Sequence, residues 1–377
     1  MRSLRTFPVL YNLTRKEFYD RVLEALKNGY TGIHPDIYNT YADNLRKAVT
    51  SVPAKEGSSY YDVQQQMKAN VSRFAAYKAW QATRKIEQQR ADKNGVERSE
   101  VEFKRYGKIV LNAYNRYQVA EYNTSIARAR TAKQWVDFNS DDVKNKLYPS
   151  LKWLPSRSAD LREAHKKFYG LVLPKNHPFW LKNQPGNLWN CKCDWEETDA
   201  TVFTGDLPPD AYSPGLEGNP GQTGEVFSED ASYFQVRGEK NKAAIEREYI
   251  KFERPRLLKD YSPKEHVKYS NLSTGDLLEN EKPYDRLLSH CGDSDQIVAS
   301  SILPYHIKEL KNPIYSALGA TKDMKNPKDV KNIVKKKRRG IVGYNIYEWN
   351  YKETKYRVFL EVHKDGFEQL YAIYKFK

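Results

Sequence analysis

Cys191-Lys192-Cys193 is the densest source of metal-binding chemistry in the chain. Thiolates and imidazoles are preferred ligands of Zn²⁺, four in a tetrahedron for a closed site, or three plus a water for an open one. With two histidines upstream, the sequence offers His165, His177, Cys191 and Cys193 as a set that could hold zinc. The one-residue spacing is less favourable than Cys-x-x-Cys. The alternative is that the two cysteines flank a strand, one packed inward, with His165 satisfied by a backbone carbonyl. Arg157 and Arg162 stand just before the set. They could grip a phosphate or carboxylate bidentately, or tie a loop to a helix through an internal ion pair.

A second concentration of chemistry lies near the end of the chain. Lys331, Lys335, Lys336, Lys337, Arg338 and Arg339 run into Tyr344, Tyr347, Trp349, Tyr351 and Tyr356. Basic charge interleaved with aromatic rings suits RNA or another single strand, whose phosphates need cations and whose bases stack. A solvated helix end is the competing reading. His290, His306 and His363, with Arg357, Glu348, Glu361 and Tyr371, supply acid/base material. A metal-independent ribonuclease needs a base for the 2′-hydroxyl, an acid for the leaving oxygen and a cation for the phosphate. His290, His306, Arg357 and His363 are the candidates for those roles, although a lone histidine in each element is more often structural than catalytic.

These residues must be positioned by the elements around them. Thr14 with Glu17 three residues on predicts a capped helix, with Phe18, Val22, Leu23 and Leu26 on one face. Helices are predicted over about 37–49, 61–91 and 99–135, the last capped by Ser99 and Glu102. From Asn139 to Asp199 short elements rich in Trp, Pro, His and Cys replace the helical periodicity. The run 202–232, with Pro208-Pro209, Pro214-Gly215 and Pro220-Gly221, predicts an irregular connection. A spacer helix is expected over about 238–252. The remainder reads as an α+β unit, with helical segments at 264–270, 283–291, 304–310 and 327–337. Strands are predicted at 341–349, 355–362 and 367–376, the last two joined by a turn centred on Asp365-Gly366. Three strands in sequence make an antiparallel meander that the preceding helices can cover.

The middle stretch carries a resemblance. Arg157, Arg162, His165 and Gly170, then Pro174, His177-Pro178-Phe179-Trp180, then Trp189-Asn190-Cys191-Lys192-Cys193, resemble in order the core of the Mu F-like head-morphogenesis family, the minor head proteins of tailed double-stranded-DNA phages. Residues 122–135 look like the helix before that core, and 219–224 like the linker after it. The resemblance covers about residues 60–235. It implies a virion protein of the phage head, assembled in the bacterial cytoplasm, bound to portal and capsid proteins and facing packaged double-stranded DNA or RNA. Arg157, Arg162, Gly170 and Trp189 would be its structural core motif. Members of that family carry small toxin-like nuclease domains of barnase- or RelE-like α+β design, and the tail is similar to these in layout alone. The implied organisation is α+β throughout: an elongated helical region 1–138, a small mixed core 139–200, a linker and spacer helix 201–254, and a C-terminal domain 255–377. The function expected is head morphogenesis, or alternatively delivery of a C-terminal ribonuclease.

Composition agrees with a folded, polyanion-facing protein. The net charge is +15 over 377 residues, and the surplus lies at the two ends around a near-neutral middle. Fields of that sign attract polyanions, though charge alone names no partner. The 28 Tyr, 14 Phe and 7 Trp supply apolar bodies enough to exclude wholesale disorder. No stretch approaches the ~18 apolar residues of a membrane span. Met1 to Phe7 carries no apolar run, so a secretory signal is not expected. Three cysteines are too few for a disulfide framework, and Cys291 reads as an inert thiol.

Overall fold

The computed structural model describes residues 14–156, 163–261, 265–322, 325–351 and 353–376. The fold is α+β, and it divides into two compact units, one up to Glu248 and one from Tyr249.

In the first unit, α1 (Arg15–Lys27), α2 (Pro35–Thr50), α3 (Ser59–Glu87), α4 (Glu100–Asn115) and α5 (Gln118–Asn139) pack together. The caps anticipated at Thr14/Glu17 and Ser99/Glu102 are both complete boxes. The helix expected over 99–135 is two helices, broken at Arg116-Tyr117. No Pro or Gly marks the break. Asn115 is drawn into tertiary bonds there, accepting from the Tyr41 hydroxyl at 2.9 Å and from the Gln118 amide at 3.1 Å. After the short α6 (Asp142–Leu147) comes β1 (Ser150–Leu154). The sequence then forms α7 (Glu163–Lys166), β2 (Val172–Pro174), α8 (Phe179–Lys182) and β3 (Asp194–Thr198). The three strands make an antiparallel sheet in the order β2-β1-β3, with Trp153 paired to Trp195. Trp135, Trp153, Phe168, Phe179, Trp180 and Trp195 form its core.

The stretch read as a linker is packed structure. Beyond a short α9 (Pro220–Thr223), Leu216, Val226, Phe227 and Phe234 are buried, and the Phe227 ring stacks on Phe74 of α3 at 4.0 Å. Asn70 of α3 accepts from the backbone N–H of both Val226 and Phe227. Gly221 sits so close to Trp135 that a Cβ there would lie 2.7 Å from the indole side chain. Proline and glycine here permit close approach rather than freedom. The boundaries expected after residues 138 and 200 therefore fall inside one compact unit.

The division between units falls within α10 (Glu239–Asp260), longer than the expected spacer helix. The second unit continues with β4 (His266–Lys268), where the sequence suggested helix, then β5 (Asp276–Leu278), α11 (Glu281–Ser289) and α12 (Ser294–Ile302). The segment expected as a helix over 304–310 is two 3₁₀ turns, 303–305 and 307–309. Then come β6 (Lys311–Ala317), α13 (Pro327–Arg338), β7 (Ile341–Tyr351), β8 (Thr354–His363) and β9 (Glu368–Phe376). The anticipated meander is present as the antiparallel run β7-β8-β9, inside a six-stranded mixed sheet ordered β4-β5-β9-β8-β7-β6. β5 joins β9 in parallel. Alternation along β7 and β8 buries Tyr347, Trp349, Tyr356, Val358 and Leu360 on one face.

Candidate functional site

His165, Cys191 and Cys193 converge. The His165 Nδ1 lies 3.4 Å from the Cys191 Sγ and 3.7 Å from the Cys193 Sγ, and all three ligand atoms fall within 4.8 Å of one another. Local chemistry explains why. α7 carries His165 onto the Trp153 ring, 5.0 Å between centroids, and Gly170 takes a left-handed φ of +80° to turn the chain back toward β1. Its N–H donates to the Trp153 carbonyl at 2.9 Å. At the other end Asn190 adopts φ +57°, a region asparagine tolerates. The Thr124 hydroxyl of α5 holds the Asn190 N–H at 3.0 Å. That bend delivers Cys191 and Cys193 to the imidazole just before β3 begins.

The two S–N distances fit a zinc tetrahedron. Bonds of ~2.3 Å to sulfur and ~2.0–2.1 Å to nitrogen, at tetrahedral angles, place S and N about 3.6 Å apart. The observed pair of distances brackets that figure. The His165 Nε2–H donates to the Ala211 carbonyl at 3.0 Å, which fixes the ring and leaves Nδ1 facing the sulfurs. A carbonyl thus satisfies one ring nitrogen, as the alternative to a metal site anticipated, while the thiols meet the other. The Cys193 S–H donates to the Cys191 sulfur, and His165 adds to it, so the Cys191 thiol ionises well below the ordinary thiol range. Cys193, donating to that thiolate and desolvated, is driven the opposite way. The Trp153 indole and the Tyr169 hydroxyl lie against the Cys193 sulfur. His165 and Cys191 are buried, while Cys193 is half-buried beside a cleft of about 470 Å³. That cleft runs between α5, at Asn123, Arg130 and Gln134, and residues 190–194.

His177 does not join. Its Nδ1 accepts from the Phe179 N–H at 3.1 Å, capping its own turn. Among the described residues no fourth His, Cys, Asp or Glu completes the cluster. Trp189, expected in the core, is only half-buried and stacks on Phe227 at 5.8 Å, apart from the four-tryptophan cluster. Arg157 and Arg162 lie outside the described residues.

In the second unit the predicted residues separate into two groups. Lys331, Lys335, Lys337 and Arg338 are exposed on α13, whereas Lys336 and Arg339 turn onto Glu361 of β8. Glu361 is fully buried. His290 is held by the Arg286 carbonyl at 2.7 Å and rests on the Tyr371 ring. His363 stacks on Phe367 with centroids 4.3 Å apart, and burial lowers its pKa, opposed by the nearby Glu361 carboxylate. His306 is engaged by Glu309 at 2.7 Å and contributes to neither group. Arg357 shares the strand face of Glu361 but sits four residues back, about 13 Å at ~3.3 Å per residue, over the Phe376 ring. The cation beside Glu361 and His363 is therefore Arg286 rather than the candidate Arg357. Arg286 carried no sequence signal: its partner is 75 residues away, on a strand whose charged positions read as solvent-facing.

No family model, no curated protein and no solved structure matches the chain. No helix among the described residues is long and apolar enough to cross a membrane.

Proposed function

We propose that the chain is a minor head protein of a tailed phage, of the Mu F-like kind, with a zinc ion stapling its middle core. The observation that carries this reading is the convergence of His165 with Cys191 and Cys193, from the two ends of the stretch that carries the resemblance. Three ligands around a small sheet give that core a cross-link it needs, because metal binding is coupled to folding. The half-buried Cys193 and the adjoining cleft leave room for water as the fourth ligand. In this reading the helices offer the surface for portal and capsid, in the virion and earlier in the host cytoplasm. The basic ends face packaged nucleic acid, whose phosphates bind cations without sequence preference. Mass spectrometry of purified virions should find the protein; its absence there overturns the assignment. Elemental analysis of the purified full chain should find one zinc, lost in His165→Ala.

A second reading is a delivered ribonuclease in the second unit. It is favoured by the cations gathered over one face of the β7-β8-β9 meander, with His290 and His363 near them. Incubating the full chain with RNA, with and without chelator, tests it. Cleavage that survives the chelator and is lost in His363→Ala supports it; no cleavage removes the enzyme reading.

A further inference from the structure

We propose that the cross-strand row Tyr344–Glu361–Gln369, roofed by Arg286, Lys336 and Arg339, is a binding site for a phosphodiester of single-stranded nucleic acid. This deepens the reading of the second unit as a nucleic-acid binder and rests on it.

Register places the three row residues side by side on β7, β8 and β9. Glu361 is the floor, with no exposed side chain. It accepts from the Gln369 amide at 2.9 Å, from the Lys336 ammonium at 3.0 Å, from Arg339 at 3.5 Å and from Arg286. One carboxylate cannot neutralise three cations, so the cluster keeps two positive charges in excess. Those cations are not sealed in. Their side chains remain 23%, 18% and 36% exposed for Arg286, Lys336 and Arg339, so each keeps a part that solvent can reach. A guanidinium has five N–H donors, and Arg339 spends one on Glu361. The buried anchor therefore holds three cations in a fixed array, which lowers the ordering cost of binding an anion.

Two further observations point to the ligand. The Nε2 of His363 is buried without a hydrogen-bond partner, while Glu361, Arg339 and Arg286 all act on that ring. That nitrogen has no exposed surface, so an oxyanion held by the array can satisfy it only once the His363 ring turns outward. Tyr374 is 42% exposed and lies close enough to Lys336 and Tyr371 to feel both. Register pairs Tyr374 with Arg357, four residues along β8 from Glu361 or about 13 Å at ~3.3 Å per residue, so this open ring is a stacking platform for the unpaired base of a neighbouring nucleotide on the same strand. A duplex keeps its bases stacked inside and cannot use it, which favours a single strand.

The test uses the full chain and a short, dye-labelled, mixed-sequence RNA strand, followed by anisotropy at about 50 and about 200 mM salt. Arg339→Gln and Lys336→Gln should each weaken binding about tenfold and lower the salt slope by ~0.7. Lys335→Gln, on the exposed side of α13, should change affinity less than about threefold. Glu361→Gln adds one uncompensated charge and should tighten binding; if that variant does not fold, Arg339→Gln, at an exposed position, still decides. Tyr374→Ala should weaken the single strand and leave a duplex of equal length unaffected. Binding that ignores Arg339 and Lys336 overturns the site while the broader reading stands. A duplex that competes equally overturns the single-strand assignment. If the wild type binds no strand but binds inorganic phosphate through Arg339, the nucleic-acid reading fails and the anion site survives. If it binds neither, both fail.

Discussion

Lys78 and Glu121 face each other in the middle of the helical bundle, with the ammonium 2.6 and 2.7 Å from the two carboxylate oxygens and neither side chain more than 4% exposed. Burial pushes the Lys78 pKa down and the Glu121 pKa up, so each depends on the other to stay charged. The Tyr41 ring lies 4.4 Å from the ammonium and shares the load. Breaking such a pair strands a buried charge, at a cost of ~3–5 kcal/mol, whereas replacing both partners with apolar groups is close to neutral. Lys78→Met should therefore lower urea-unfolding stability by about 4 kcal/mol, and Lys78→Met with Glu121→Leu should recover most of it. A double variant as unstable as the single would mean that the pair contributes stability outright. Neither residue stood out in the sequence, because an interior charge and a surface charge on an amphipathic helix share one spacing. His165, Cys191 and Cys193 did stand out, because few residue types bind metal and three of them lay in one short stretch. The same logic named His177, and there it failed: a histidine before proline serves as well to cap a turn. Glu361 looked like an outward-facing strand residue, since the cations that bury it arrive from α11 and α13.

Two helix starts were legible from their caps, whereas α12, capped by Asp293, was not anticipated, and boundaries drawn by tertiary bonds were illegible. Thr14 and Ser99 marked helix starts through side chains present in the sequence itself. The break before α5, the strand β4 and the packed stretch 202–236 depend on distant partners. Arg128 of α5 shows how the last is held: its buried guanidinium donates to Asn187 at 2.7 Å, to the Leu216 carbonyl at 2.6 Å, and to the carbonyls of Gly218 and Glu225 at 3.3 Å. Proline and glycine counts cannot reveal a guanidinium that gathers carbonyls. The start of α2 yields a prediction of its own. His34 caps it, accepting from the Asp36 N–H at 3.2 Å through Nδ1, inside a buried setting. Burial lowers the His34 pKa, opposed by the Asp36 carboxylate and helped by Arg21. Below the unfolded value of ~6.5 the unfolded chain takes a proton that the folded chain resists. Stability is thus complete above about pH 6.5 and falls as pH drops toward the lowered pKa, by at most ~1.4 kcal/mol per unit. His363 titrates with the same sign, so the difference between wild type and variant is the informative quantity. His34→Asn keeps the cap and removes the titration. Thermal unfolding at pH 5.5 and at pH 7.5 should show a smaller loss for His34→Asn than for wild type; equal losses would exclude His34 as the source.

At the scale of the whole molecule, the two units carry their proposed ligands separately: a metal for the first and a phosphodiester for the second. A ligand that binds only a folded unit stabilises that unit by an amount set by its concentration over its dissociation constant. A chelator acts in reverse on a metal-stapled core. The chain has a built-in way to tell the two apart. Six of its seven tryptophans, from Trp80 to Trp195, precede residue 249, and Trp349 is the single one beyond it. Trp349 is buried and donates its indole N–H to Glu309 at 3.0 Å, so its emission reports loss of the second core. A Trp349→Phe variant leaves only the first unit visible by tryptophan-selective fluorescence, while calorimetry sees both. Chelation should lower the transition that Trp349→Phe still reports and leave the other in place. A short RNA strand at about 100 times its dissociation constant should raise the other by ~2.7 kcal/mol, a shift of several degrees for a domain of this size. If chelation and strand move the same transition, or if one cooperative transition responds to both, the two sites belong to a single folding unit and the separation drawn within α10 is not energetic.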